Sequence, residues 1–188
     1  THGHLTNVAT IANVETIAGG SGADAITLGS ALTTAMSVDL GGSAQNTLRL
    51  SNVANTGTVS NVATLQGGSG ADQITLATTL ANASVDLGSG ADVLTLADGG
   101  NGLTQADIKT LIGGTGDDAV TLTTAASNAS IDLGGGNDTL AFSNFTNVAT
   151  VSNTLTISGG VGNDTVTLGT ALSDAMQVDL GAGANKLT

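Results

Sequence analysis

The sequence predicts an all-β chain wound as a parallel β-solenoid, β-helix-like or β-roll-like, and three features predict it. A Gly-x-Gly-x-Asp element recurs along nearly the whole length. Each copy is followed by a short pattern of period two. The apolar residues available for an interior are small, with Phe142 and Phe145 the only aromatics. The chain's 188 residues are enough for one domain, but a compact globule of that size normally uses more large side chains. Glycine stands at 28 of 188, about twice the usual ~7%. Proline and cysteine are absent, so no disulfide fixes the turns; a cysteine-free chain fits a secreted bacterial protein.

Self-similarity at a fixed period is the mark of a repeat architecture. Gly19-Gly20-Ser21-Gly22-Ala23-Asp24 returns at residues 67–72, 113–118 and 159–164, at steps of 48, 46 and 46. A second series is interleaved: Val38-Asp39-Leu40-Gly41 returns at 85–88, 131–134 and 178–181, at steps of 47, 46 and 47. Both are versions of one unit, an apolar residue, Gly-x-Gly-x-Asp and an alternating tail. The unit ends at Asp24, Asn46, Asp72, Asp92, Asp118, Asp138, Asp164 and Asn185, at spacings of 22, 26, 20, 26, 20, 26 and 21, a mean near 23. The expectation is about eight coils of ~23 residues, their turns along one edge. They form a single domain, 1–188, of four ~46-residue repeats at roughly 5–50, 51–97, 98–143 and 144–188. Four wide coils of ~46 residues, with turns on two opposite edges, fit the same period. The bend signal Asp98-Gly99-Gly100-Asn101-Gly102 favours the shorter coil.

After each turn, alternation defines a strand. Ile26, Leu48, Ile74, Leu94, Val120, Leu140, Val166 and Leu187 point inward, as do Leu28, Leu50, Leu76, Leu96, Leu122, Phe142 and Leu168. Between them Thr27, Arg49, Thr75, Thr95, Thr121, Ala141, Thr167 and Thr188 point outward. A second strand enters each turn, ending in Ile17, Leu40, Leu65, Leu87, Leu111, Leu133, Ile157 or Leu180. Such strands cannot fold alone; stacked in parallel, each buries its apolar residues on the next coil.

The turns carry the chemistry. Calcium takes about six to eight oxygens at roughly 2.3–2.6 Å, from carboxylates and carbonyls. Glycine permits the backbone to converge on one point, and the Asp adds charge. Carboxylates stacked ~4.8 Å apart repel by about 0.9 kcal/mol per neighbour in bulk water and several times that at lower effective dielectric. Six Asp in one ladder oppose folding unless a cation lies between them, which couples metal to folding. The candidate calcium-binding residues, for several ions, are Gly20, Gly22, Asp24, Asn46, Gly68, Gly70, Asp72, Gly88, Gly90, Asp92, Gly114, Gly116, Asp118, Gly134, Gly136, Asp138, Gly160, Gly162, Asp164 and Asn185.

On these residues the chain resembles the RTX, or hemolysin-type, calcium-binding repeat family, whose nonapeptide is Gly-Gly-x-Gly-x-Asp-x-U-x. Gly67-Gly68-Ser69-Gly70-Ala71-Asp72-Gln73-Ile74-Thr75 is one full match. The even turns depart from it: Leu87, Leu133 and Leu180 replace the first Gly, Ala44 replaces another, and Asn46 and Asn185 replace the Asp. The family stacks its units in tandem, whereas here they lie ~23 residues apart. The resemblance implies calcium held by turn Asp and Gly carbonyls, type I secretion and folding outside the cell. The longer period is similar to that of large bacterial surface-layer and adhesin proteins.

Charge points the same way. Fifteen acidic residues against three basic ones, Arg49, Lys109 and Lys186, leave a net charge of −12. That disfavours nucleic acid and anionic membrane and favours multivalent cations. No run of ~18 apolar residues suggests membrane insertion. The chain begins at Thr1 without a visible signal peptide, which reads as a fragment or processed product. Asp39, Asp86, Asp132 and Asp179 form a second acidic series, which could bind metal too but reads better as an exposed strand face. Asn52, Asn61, Asn82 and Asn128 read as loop caps. His2 and His4 could hold a transition metal but read better as a frayed terminus. No nucleophile–base or zinc arrangement can be assembled, so the chain is expected not to be an enzyme. The expected role is a calcium-stabilised structural module of an extracellular bacterial surface layer, filament or adhesin. It would stack on copies of itself or on adjacent repeats of a longer chain. The alternatives are an ice- or surface-binding segment using the Thr series, and a non-catalytic calcium module of a secreted enzyme.

Overall fold

The computed structural model describes residues 4–188, and over them the chain is a two-sheet parallel β-solenoid. The first repeat supplies β1 (Val8–Ile11), β2 (Thr16–Gly20), β3 (Ala25–Leu28), β4 (Ser37–Gly41) and β5 (Thr47–Arg49). The second supplies β6 (Thr56–Ser60), β7 (Thr64–Gly68), β8 (Gln73–Leu76), β9 (Ala83–Gly88) and β10 (Val93–Thr95). The third supplies β11 (Gly102–Ala106), β12 (Thr110–Thr115), β13 (Ala119–Leu122), β14 (Ser127–Gly135) and β15 (Thr139–Ala141). The fourth supplies β16 (Val148–Ser152), β17 (Thr156–Gly160), β18 (Thr165–Leu168), β19 (Gln177–Gly181) and β20 (Lys186–Leu187). All odd strands form one ten-stranded sheet and all even strands the other. No helix occurs among the described residues.

Consecutive strands alternate between the sheets, so one coil is one strand from each sheet plus a connection on either edge. Register sets the coil length. Ala25 lies opposite Val8 in the coil before it and opposite Thr47 in the coil after it; Val93 lies opposite Gln73. Hydrogen-bonded turn residues keep the same register: Asn7 and Asp24 are 17 positions apart, Asp24 and Asn46 22, and Asp72 and Asp92 20. The coils are therefore shorter than expected, close to twenty residues each, and ten-stranded sheets hold more than eight of them. The expected coil assumed one Gly-x-Gly-x-Asp turn per circuit. The chain also turns without one, at Asn13, Asn61, Asp107 and Asn153, each a single left-handed residue with φ between 50° and 57°. Asn and Asp tolerate that region, so these plain links are corners too.

Each ~46-residue repeat contributes five strands, which is two and a half coils. Because five is odd, a given position changes sheet from one repeat to the next. Ile26 and Leu48 lie in the odd sheet, Ile74 and Leu94 in the even one, Val120 and Leu140 in the odd one again, and Val166 and Leu187 in the even one. The Gly-Asp turns consequently occupy two edges, not one. The wide-coil alternative placed them on two edges but made the coil more than twice too long.

The interior is built of apolar columns one coil apart. Ile74, Leu94, Leu111, Ile131 and Val151 stack in successive even strands, and Ile26, Leu48, Leu65 and Val85 in odd ones. None of these is more than 6% exposed. Burying each Leu or Ile side chain stabilises the fold by roughly 1.5–3 kcal/mol. Gln105 breaks the odd-sheet column between Val85 and Leu122. It is buried; its amide donates to the Ala106 carbonyl at 2.7 Å, and its Oε1 has no partner.

Candidate metal centres

At four places three turns lie on top of one another. The first stack comprises residues 5–7, 19–24 and 41–46; the second 51–55, 67–72 and 88–92. The third comprises 97–101, 113–118 and 134–138, and the fourth 143–147, 159–164 and 181–185. The first and third share one edge of the solenoid, the second and fourth the other. The eight predicted turns are thus brought together as four pairs. The six turn Asp do not form one ladder, since the odd strand count separates successive pairs.

Each stack is threaded by a side-chain ladder. In the second, Asn55 donates its backbone N–H and its Nδ2 to Asp72 Oδ1, at 2.9 and 2.8 Å, and the Asp72 N–H donates to Asp92 Oδ1 at 2.8 Å. The third repeats this with Asn101, Asp118 and Asp138, every bond 2.8 Å. In the fourth, Asn147 donates to Asp164 at 3.0 and 2.8 Å, and the Asp164 N–H donates to Asn185 Oδ1 at 2.9 Å. In the first, Asn7 donates to Asp24 at 2.8 and 2.7 Å, and the Asp24 N–H donates to Asn46 Oδ1 at 2.9 Å. Asn7, Asn55, Asn101 and Asn147 are missing from the candidate ligands above. Their signal is in the sequence: each lies 17 positions before a turn Asp, with the same steps of 48, 46 and 46.

The aspartates point into the fold rather than into solvent. Asp24, Asp72, Asp92, Asp118, Asp138 and Asp164 are each at most 1% exposed. Oδ1 is satisfied in every case. Oδ2 of Asp72, Asp92, Asp118, Asp138 and Asp164 is buried without a hydrogen-bond partner. An unpaired buried polar atom costs about 1–3 kcal/mol, more when charged. Glycine makes the room: a Cβ on Gly67 would sit 2.6 Å from Asp72 Oδ2 and overlap the Leu87 carbonyl oxygen. Gly88, at φ +78°, closes on the Gly68 carbonyl oxygen, where no side chain fits. The unpartnered carboxylate oxygens and the turn carbonyls packed around them are oxygen donors, the kind a hard cation takes. Among the described residues no three His, Cys, Asp or Glu side chains converge as a metal cluster, so carbonyls would have to complete any coordination. Burial raises the Asp92 and Asp138 carboxyls above the ordinary value of 3.8. The backbone N–H groups of Asp72 and Asp118 pull the other way, and the neighbouring charges of Asp72, Asp107 and Asp86, or Asp118, Asp117 and Asp132, add to the rise.

The second acidic series has a local task. Oδ1 of Asp39, Asp86, Asp132 and Asp179 accepts the N–H of Gly41, Gly88, Gly134 and Gly181, at 2.9 to 3.1 Å, holding each glycine in its left-handed turn. Asn61 and Asn82 take up a left-handed conformation on links between strands; Asn128, also left-handed, lies instead within β14 at its register shift, so it is a bulge and not a loop cap; Asn52 accepts at its carbonyl from Ser69 Oγ at 3.3 Å. His2 lies outside the described residues, and His4 Nδ1 hydrogen-bonds the Ser21 hydroxyl. The outward Thr series is split like the turns: Thr27 pairs with Arg49 in one sheet, Thr75 with Thr95 in the other, and Thr121 with Ala141 in the first. No continuous threonine ladder is formed by these positions.

Comparison with protein-family models, with curated proteins and with solved structures returned no match.

Proposed function

We propose that this chain is a calcium-stabilised structural repeat module of an extracellular bacterial surface protein, a surface layer, filament or adhesin. One observation carries the reading: five buried carboxylate oxygens, in stacked glycine turns, without a donor. Asp72 with Asp92, and Asp118 with Asp138, would hold the ion together with turn carbonyls. The ion would supply positive charge beside buried carboxylate oxygens that no hydrogen bond satisfies. No catalytic step is part of the proposal. Folding then waits on the cation, which suits a chain exported unfolded into calcium-rich surroundings. The RTX-like motifs support the same reading.

Adjacent repeats or further copies of the chain are the proposed partners. Parallel coils stack head to tail, and heterologous stacking of this kind propagates rather than closes. Light scattering or electron microscopy in millimolar calcium tests it; a strictly monomeric full-length chain would contradict it.

Melting followed by circular dichroism, with calcium and with excess chelator, tests the calcium claim. Chelation should abolish the β signal or lower the Tm sharply. An unchanged melt sinks the reading.

A further inference from the structure

We propose that the four stacks are two kinds of site: the second and third, with an aspartate in both upper layers, require a divalent cation, whereas in the first and fourth an asparagine amide occupies the cation's place. The division rests on the calcium reading above and says which stacks it governs. The comparison is internal to the molecule. Asn46 Oδ1 accepts the Asp24 N–H at 2.9 Å, and its Nδ2 donates to the carbonyls of Leu40, Gly41 and Asn61 at 3.1, 3.1 and 3.0 Å. Asn185 does the same: Oδ1 accepts from Asp164 at 2.9 Å, and Nδ2 donates to Leu180 and Gly181 at 3.0 Å each. One amide group thus satisfies two or three carbonyls of the turn.

Asp92 and Asp138 stand at the equivalent positions of the second and third stacks. Their Oδ1 atoms accept the equivalent backbone N–H groups, from Asp72 and Asp118, at 2.8 Å each. With that bond preserved, Oδ2 takes the position the amide nitrogen has in the other two stacks. There a donor has become an acceptor, and Oδ2 is buried and unpartnered in both residues. The middle layers add a second such oxygen to each, Oδ2 of Asp72 and of Asp118. In the first stack Asp24 Oδ2 instead accepts the Gly20 N–H at 3.3 Å, and the fourth keeps only that of Asp164. Two buried carboxylates one coil apart, each with an unpartnered Oδ2, need a positive charge between them; one carboxylate beside an amide needs it far less.

Calcium titration calorimetry, paired with melting in chelator, tests the division on the whole chain and on Asp92→Asn, Asp138→Asn and Asn46→Asp. The wild type should show two tight ions. Each Asp→Asn variant should bind one fewer tightly and, in chelator, melt above the wild type, because the new amide supplies the missing donor. Asn46→Asp should melt lower in chelator and gain a tight ion. An Asp92→Asn chain that melts lower than the wild type in chelator, or a wild type with four equivalent ions, overturns the division and leaves the calcium reading standing. A wild type that binds no calcium sinks the calcium reading and takes the division, which rests on it, down as well.

Discussion

The strand columns and the turn stacks of this solenoid obey the same rule, like residues placed one coil apart, with opposite energetic results. In the strands, Leu94 on Leu111 on Ile131 excludes water and every contact adds. At the turns, Asp72 beneath Asp92 sets two buried carboxylates together, and Asp118 beneath Asp138 does so again. The columns are self-sufficient, whereas the stacks balance only if something outside the chain supplies charge. Stability should therefore divide into a part indifferent to cations and a part governed by them.

The sharpest way to break that comparison is to damage one region at a time. Leu111 is fully buried, and Leu111→Ala should cost about 2–5 kcal/mol, equally in calcium and in chelator. Asp72→Ala should destabilise strongly in calcium and much less in chelator, where the lost carboxylate was a liability. Urea unfolding in both conditions reads this, and a Leu111→Ala cost that depends on calcium as steeply as that of Asp72→Ala would erase the distinction. Asp174 is the control: it is exposed on the link between β18 and β19, and Asp174→Ala should leave calcium affinity unchanged.

A smaller effect comes from Gln105, the one buried polar residue in the strand columns among the described residues. Gln105 occupies an apolar column and leaves Oε1 unpaired. Gln105→Val should stabilise by about 1–3 kcal/mol, the range for relieving an unsatisfied buried polar group. The gain should appear as a higher Tm of equal size with and without calcium. A loss of stability would mean that the amide's bond to the Ala106 carbonyl matters more than the orphaned oxygen.

The fold class was legible because the period-two apolar pattern and the glycine turns are local signals, and both survive in the structure. Coil length was not, because it depends on corners that carry no glycine. A lone Asn61 or Asp107 turns the chain as effectively as Gly-x-Gly, yet in sequence it looks like any polar residue. Once those corners are counted, five strands per repeat and the two edges follow. Of the candidate site, the turn Asp and Gly were legible as a motif. Asn55 and its three counterparts lie outside the Gly-x-Gly-x-Asp motif, and their part is to donate hydrogen bonds to the turn Asp. Alternation places Asp86 outward on a strand face; its bond to the Gly88 N–H is a matter of turn geometry that alternation does not encode.

The smallest expected effect is the pH dependence, since two carboxyls carry it. Burial raises Asp92 and Asp138 in the folded state, ahead of the neighbouring charges, whereas in the unfolded chain they titrate near the ordinary carboxylate value. Between the unfolded and folded values the folded chain binds more protons. By linkage, stability in chelator is then highest at low pH and falls as pH rises through the folded pKa. A proton on Oδ2 also provides the donor that Asn46 provides through its amide. With calcium present the dependence should reverse, because protons compete with the cation for the same oxygens and acidification weakens binding. The melting curves with calcium and with chelator should therefore converge as the pH is lowered from 7 toward the carboxylate range, and Asp92→Asn with Asp138→Asn should flatten the chelator curve. A chelated wild type whose Tm climbs with pH over that interval would show that these carboxyls are ionised in the folded state without a cation, and the contrast between strands and turns would lose its electrostatic basis.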